Sequence, residues 1–86
     1  MKEKLEKEVE VTIRGKKYLI SHDKVERSLE HVGPQRISKY SISLNSKLFP
    51  IKQVIAASLE ISPMEFGTSV AYQILQDLGF KIIKKS

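Results

Sequence analysis

Apolar and polar residues alternate strictly at the start of this chain, with Val9, Val11 and Ile13 separated by Glu10 and Thr12. A period of two marks a strand with one face towards a core. Gly15-Lys16 suits a two-residue turn with glycine first, and Tyr18 and Ile20 resume the pattern. Residues 9–20 are therefore expected to form a hairpin. That turn sets Ile13 opposite Tyr18, Val11 opposite Ile20 and Arg14 opposite Lys17, with the four apolar residues on one face. The period then changes. Val25, Leu29 and Val32 follow i, i+4, i+7 spacing and predict a helix over residues 22–32. Ser21 would cap it, Asp23 would favour the dipole of its first turn, and Gly33-Pro34 would stop it. Alternation returns with Tyr40, Ile42 and Leu44 against Ser41 and Ser43. Asn45-Ser46 supplies a turn, because Asn tolerates positive φ, and Leu48 and Phe49 complete a second hairpin over residues 39–49.

Pro50 fits the first position of a helix, with Ile51, Val54, Ile55, Ser58 and Leu59 as its buried stripe. Ser62-Pro63 breaks the chain, and Met64 and Phe66 are expected to plug the core from a short connector. Thr68 is expected to cap a third helix whose inner face is Ala71, Ile74, Leu75 and Leu78, ended by Gly79. Phe80, Ile82 and Ile83 read as a short strand before Lys84-Lys85. The order ββ-α-ββ-α-α-β is a small single α+β domain over residues 9–86, behind a charged lead-in at residues 1–8. Its predicted core is Val11, Ile13, Val25, Leu29, Ile42, Val54, Ile55, Ile74, Leu75 and Leu78. The C-terminal half, a helix followed by a strand, is similar to a winged-helix ending.

Composition removes several classes of function. With 86 residues and no cysteine, there is room for one domain and no disulfide scaffold, thiolate zinc site or cysteine nucleophile. The longest apolar run is the four residues from Val54 to Ala57, far short of a membrane span. The first residues interleave Lys and Glu without an apolar run, so no signal peptide is expected. The expected location is cytoplasmic. Plentiful Lys and Glu, with Ile outnumbering Val and Phe, is a thermophile-like composition. His22 and His31 stand nine residues apart on one predicted helix, about 180° of rotation from each other, and cannot share a metal. No acid pair, Gly-rich phosphate loop or nucleophile elbow is present. No catalytic residue, metal or cofactor is expected, and the chain reads as a non-enzyme.

Charge points towards an anionic partner. Lys plus Arg number 15 against 10 Asp plus Glu, a net charge of +5, and the distribution says more than the total. No acid occurs between Glu30 and Glu60, where Arg36, Lys39, Lys47 and Lys52 fall. Lys47 would project from the second hairpin, and Lys52 lies in the first turn of a helix, where backbone N–H groups suit a phosphate. The same cations could equally form a solvated edge that discourages aggregation. On the third helix, Ser69, Tyr72, Gln73 and Gln76 share a polar face that is uncharged except for Asp77 at its edge. It could read base edges and stack on nucleic acid, or lie against another subunit, or simply meet solvent. The first hairpin tip, with Arg14, Lys16 and Lys17, could clamp a phosphate backbone or remain a solvated turn.

One run has a further resemblance. Its skeleton is Tyr40-x-Ile42-x-Leu44-Asn45-x-Lys47-x-Phe49-Pro50-x-Lys52-Gln53, followed by Phe66-x-Thr68, Ala71, Leu75 and Leu78-Gly79-Phe80. This resembles small modules of prokaryotic restriction systems, such as the N-terminal head domain of methylation-dependent HNH endonucleases. It covers about half the chain, and Asn45-Ser46 stands where Asn-Gly would be usual. The resemblance implies a DNA-associated module, with DNA contacts at Lys47 and Lys52 and nothing catalytic. Together these readings favour a small DNA-binding protein whose partner is double-stranded DNA, with a homodimer left open. The alternative is a protein-interaction or self-dimerising adaptor that binds no nucleic acid.

Overall fold

The computed structural model describes residues 8–37 and 39–85, so the expected lead-in lies outside the described residues except for Glu8. The chain runs β1 (Glu8–Ile13), β2 (Lys16–Ser21), α1 (His22–Ser28), β3 (Tyr40–Leu44), β4 (Lys47–Pro50), α2 (Ile51–Leu59), a 3-10 turn at Pro63–Glu65, α3 (Thr68–Asp77) and β5 (Ile83–Lys84). The fold is α+β in the expected order. Two antiparallel sheets result: the β1–β2 hairpin, and a three-stranded sheet in the order β4-β3-β5.

The first hairpin differs from expectation in its register. Ile13 pairs with Lys16, Val11 with Tyr18 and Val9 with Ile20, a slip of two residues. The turn is Arg14-Gly15, with φ of 51° and 82°. Two successive positive φ angles make a type I′ turn, whose twist matches that of the strands. An even slip keeps every side chain on its face, so Val9, Val11 and Ile13 still point inwards. Arg14, placed in the turn, has no cross-strand partner, and Lys17 faces Thr12. The second hairpin turns as expected at Asn45-Ser46, with φ of 51° and 64°.

α1 is capped by Ser21, whose Oγ accepts the Lys24 N–H at 3.1 Å. It is shorter than expected and unwinds after Ser28 into i→i−3 turns, Glu30 N–H to Arg27 C=O and Val32 N–H to Leu29 C=O, both 3.3 Å. Leu29 remains buried and Val32 half-buried, so the apolar stripe outlasts the helix that implied it. Pro50 is the N-cap of α2 rather than its first residue. Gly67, not Thr68, is the N-cap of α3, and Thr68 is already helical, with no side chain capping that end. α3 closes in a Schellman motif: Gly79 has φ of 90°, and Phe80 N–H and Gly79 N–H reach Leu75 C=O and Gln76 C=O at 3.0 Å each. A single two-residue edge strand, β5, follows it.

α2 is central and packs on α1, α3, β2, β3 and β4. Val54, Ile55, Leu75, Val25, Leu29, Ile42 and Phe49 are almost wholly buried in one continuous core. Every predicted core residue belongs to that core except Val11, which packs half-buried against it. Phe66 joins the core, but Met64 is 85% exposed, contrary to expectation. The 3-10 turn explains the split. Ser62 Oγ accepts the Met64 N–H and Ser62 C=O accepts the Glu65 N–H, which turns Met64 outwards before Phe66 turns in.

Candidate nucleic-acid interface

The acid-free stretch folds into a loop, a hairpin and a helix, and three of its four cations come together. Arg36, Lys39 and Lys52 line one cleft of about 170 Å³ with Tyr40, Pro50, Gln53, Pro63 and Thr68, and no acid among the described residues lines it. Each reaches the cleft from a different element: Arg36 from the loop after α1, Lys39 from the approach to β3, Lys52 from the first turn of α2. Among the described residues none of the three has an acidic partner. The Lys39 ammonium lies 5.3 Å from the Tyr40 ring centre, and that of Lys52 lies 5.6 Å from the Phe66 ring centre. These are cation–π distances, which hold the chains without cancelling their charge.

Gln53 builds the wall that carries Arg36. It is buried, its Oε1 accepts the Gln35 N–H at 2.8 Å, and its Nε2 donates to the Gly33 carbonyl at 2.9 Å. A side-chain amide thus pairs with the backbone of an irregular loop, satisfying polar groups that would otherwise be costly at partial burial. The ends of two helices add to the same place. α2 starts at the cleft with neither a side-chain cap nor an acid in its first turn, and α3 starts beside it at Thr68 in the same condition. Uncapped N–H groups carry the positive end of each helix dipole.

Lys47 does not join this group. It sits at the far end of β4, three residues from Pro50, about 10 Å along a strand. The hairpin tip comes to the connector instead. Arg14 Nε is 3.4 Å from the Glu65 carbonyl and 3.6 Å from Glu65 Oε1, so Arg14 pairs with an acid while Lys16 and Lys17 remain exposed. Met64, expected in the core as an apolar residue of a short connector, stands between Pro63 at the cleft and Glu65 at the hairpin tip.

On α3, Ser69, Gln73 and Gln76 are exposed. Gln73 Nε2 donates to Asp77 Oδ1 at 3.1 Å. Tyr72 is half-buried and meets Tyr40 edge-on, with ring centres 5.0 Å apart, which ties α3 to the aromatic wall of the cleft. His22 stacks on Phe80 at 4.0 Å and lies 3.6 Å from Glu26, a packing role joining α1 to the segment after α3. His31 is exposed. Among the described residues, no three His, Asp or Glu side chains are grouped to hold a metal, and no helix is long and apolar enough to cross a membrane. No family model, curated protein or solved structure matches this chain.

Proposed function

We propose that this chain is a small, non-enzymatic DNA-binding module that holds backbone phosphates in the cleft at the heads of α2 and α3. The observation that carries this reading is the gathering of Arg36, Lys39 and Lys52 around one acid-free cleft. Among the described residues these three cations have no acidic partner, and they stand beside two helix starts without side-chain caps. Phosphate oxygens take such donors, and neutralising them releases counterions. The path continues over the connector to Lys16 and Lys17, with Met64 facing outwards between them. Ser69, Gln73 and Gln76 on α3 are then the residues available for base edges. Lys52 is retained as a contact, and Lys47 is set apart from the main group.

The test is a titration of fluorescent duplex DNA at two salt concentrations. Replacing Arg36, Lys39 and Lys52 together with Gln is expected to shallow the salt slope by about 0.9 for each phosphate that is no longer neutralised. Unchanged affinity at low salt would remove the proposal. Gln73→Ala is expected to alter sequence preference while leaving the salt-dependent term in place. A shift in sedimenting mass with unaltered preference would make α3 an interface between chains instead.

A further inference from the structure

Among the described residues, α2 packs against one face of the three-stranded sheet. Ile42, Leu44 and Phe49 point into the core, while the opposite face carries Ser41, only 3% exposed at the floor, and the exposed Ser43 of β3 between Leu48 of β4 and Ile83 of β5. Leu48 lies directly across from Ser43, and Ile83 across from Ser41. Two small residues on the central strand, flanked by larger apolar ones, make a trough. It is a groove of about 350 Å³ lined by Arg36, Ile37, Ser41, Leu48, Ile83 and Lys85. Leu48 is 44% and Ile83 37% exposed, high values for apolar residues on the two strands flanking β3.

The rims of the groove are cationic. Lys85 is fixed there by two bonds, its N–H to the Lys39 carbonyl at 2.7 Å and its Nζ to the Ile37 carbonyl at 3.3 Å. A carbonyl orients the ammonium but does not neutralise it. Among the described residues neither Arg36 nor Lys85 has an acidic partner, and no acid lines the groove. Exposed apolar side chains on a sheet face can be buried by a packed helix, and the small Ser43 between Leu48 and Ile83 leaves room for one. From this we infer that the groove on the outer face of the β4-β3-β5 sheet docks an acidic amphipathic helix of a partner protein. Its apolar stripe fills the trough, and its flanking carboxylates meet Arg36 and Lys85. A second copy of this chain is a poorer fit. A two-fold contact would bring two copies of this cationic patch together, with no described acid in either groove to offset them.

The inference does not rest on DNA binding, although the groove shares Arg36 with the cleft, and it is tested without DNA. The isotope-labelled protein is titrated with a synthetic helical peptide carrying Leu at i, i+3, i+4 and i+7 and Glu elsewhere. Backbone amide shifts are expected at Ile37, Ser41, Leu48 and Ile83. The exposed double variant Leu48→Ser, Ile83→Ser is expected to weaken binding about tenfold or more. A peptide with Lys in place of Glu is expected not to bind, a comparison that needs no variant to fold. Shifts confined to other surfaces, no saturable binding, or equal binding of the Lys peptide would overturn the inference. So would a concentration-dependent dimer dissolved by the double variant, which would give the groove to a second copy.

Discussion

Gln53 spends both ends of its amide on the loop that holds Arg36. Gln53→Leu would orphan the Gln35 N–H and the Gly33 carbonyl at partial burial. It is expected to cost about 1–3 kcal/mol, measured as a lower urea midpoint. It should also weaken duplex binding although no charge is removed, because Arg36 loses its support. Glu60 presents the opposite case. It is an exposed non-glycine residue at φ of 57° that ends α2, where Ile61 N–H reaches Ala56 C=O. Left-handed backbone is strained for a residue with a Cβ, so Glu60→Gly is expected to stabilise by about 0.5–1 kcal/mol, read as a raised melting temperature. Neither role is legible in the sequence. Gln53 looks there like one more polar residue on a helix, and its partners lie 18 and 20 residues away. The cations are visible as a run without acids, but whether they converge depends on that bridge and on strand direction, which brings in Arg36 and carries Lys47 off.

Elements are legible where local chemistry and hydrophobic period agree. The second hairpin has Asn45 in a turn that needs positive φ, and its register follows. In the first, a turn beginning with Arg14 has no local signal, since Asn, Asp or Gly is preferred there. The strands therefore match expectation while the pairing is two residues off. The inner face of α3 follows its period, and Leu75→Ala, at a fully buried position, is expected to cost about 2–5 kcal/mol. In a domain this small that can abolish folding at physiological temperature; circular dichroism on heating would show it. The connector offers a paired check. Phe66→Ala is expected to cost about 3–5 kcal/mol, whereas Met64→Ala should stay within about 0.5 kcal/mol, both by urea unfolding. Sequence treats the two alike, because a 3-10 turn reverses direction within three residues and leaves no periodic trace.

Across the whole molecule, the cleft and the sheet groove meet at Arg36, which lines both. One guanidinium cannot serve a phosphate and a carboxylate at once. Duplex DNA and the acidic peptide are therefore expected to weaken each other's binding, and Arg36→Gln to reduce that antagonism, as competitive titrations would show. The groove has a further property that follows from topology. The two hairpins join neighbours in sequence, but the third strand joins Tyr40 to Lys84, about half the chain apart. Closing so long a loop costs entropy before any pairing rewards it. β5 should thus be the last strand to dock during folding and the first to leave, with the Lys85 amide exchanging its hydrogen faster than those of β3. Since β5 supplies Ile83 and precedes Lys85, the groove comes into being only with that final step. A partner that recognises it would ignore nascent and partly folded chains and take only finished ones.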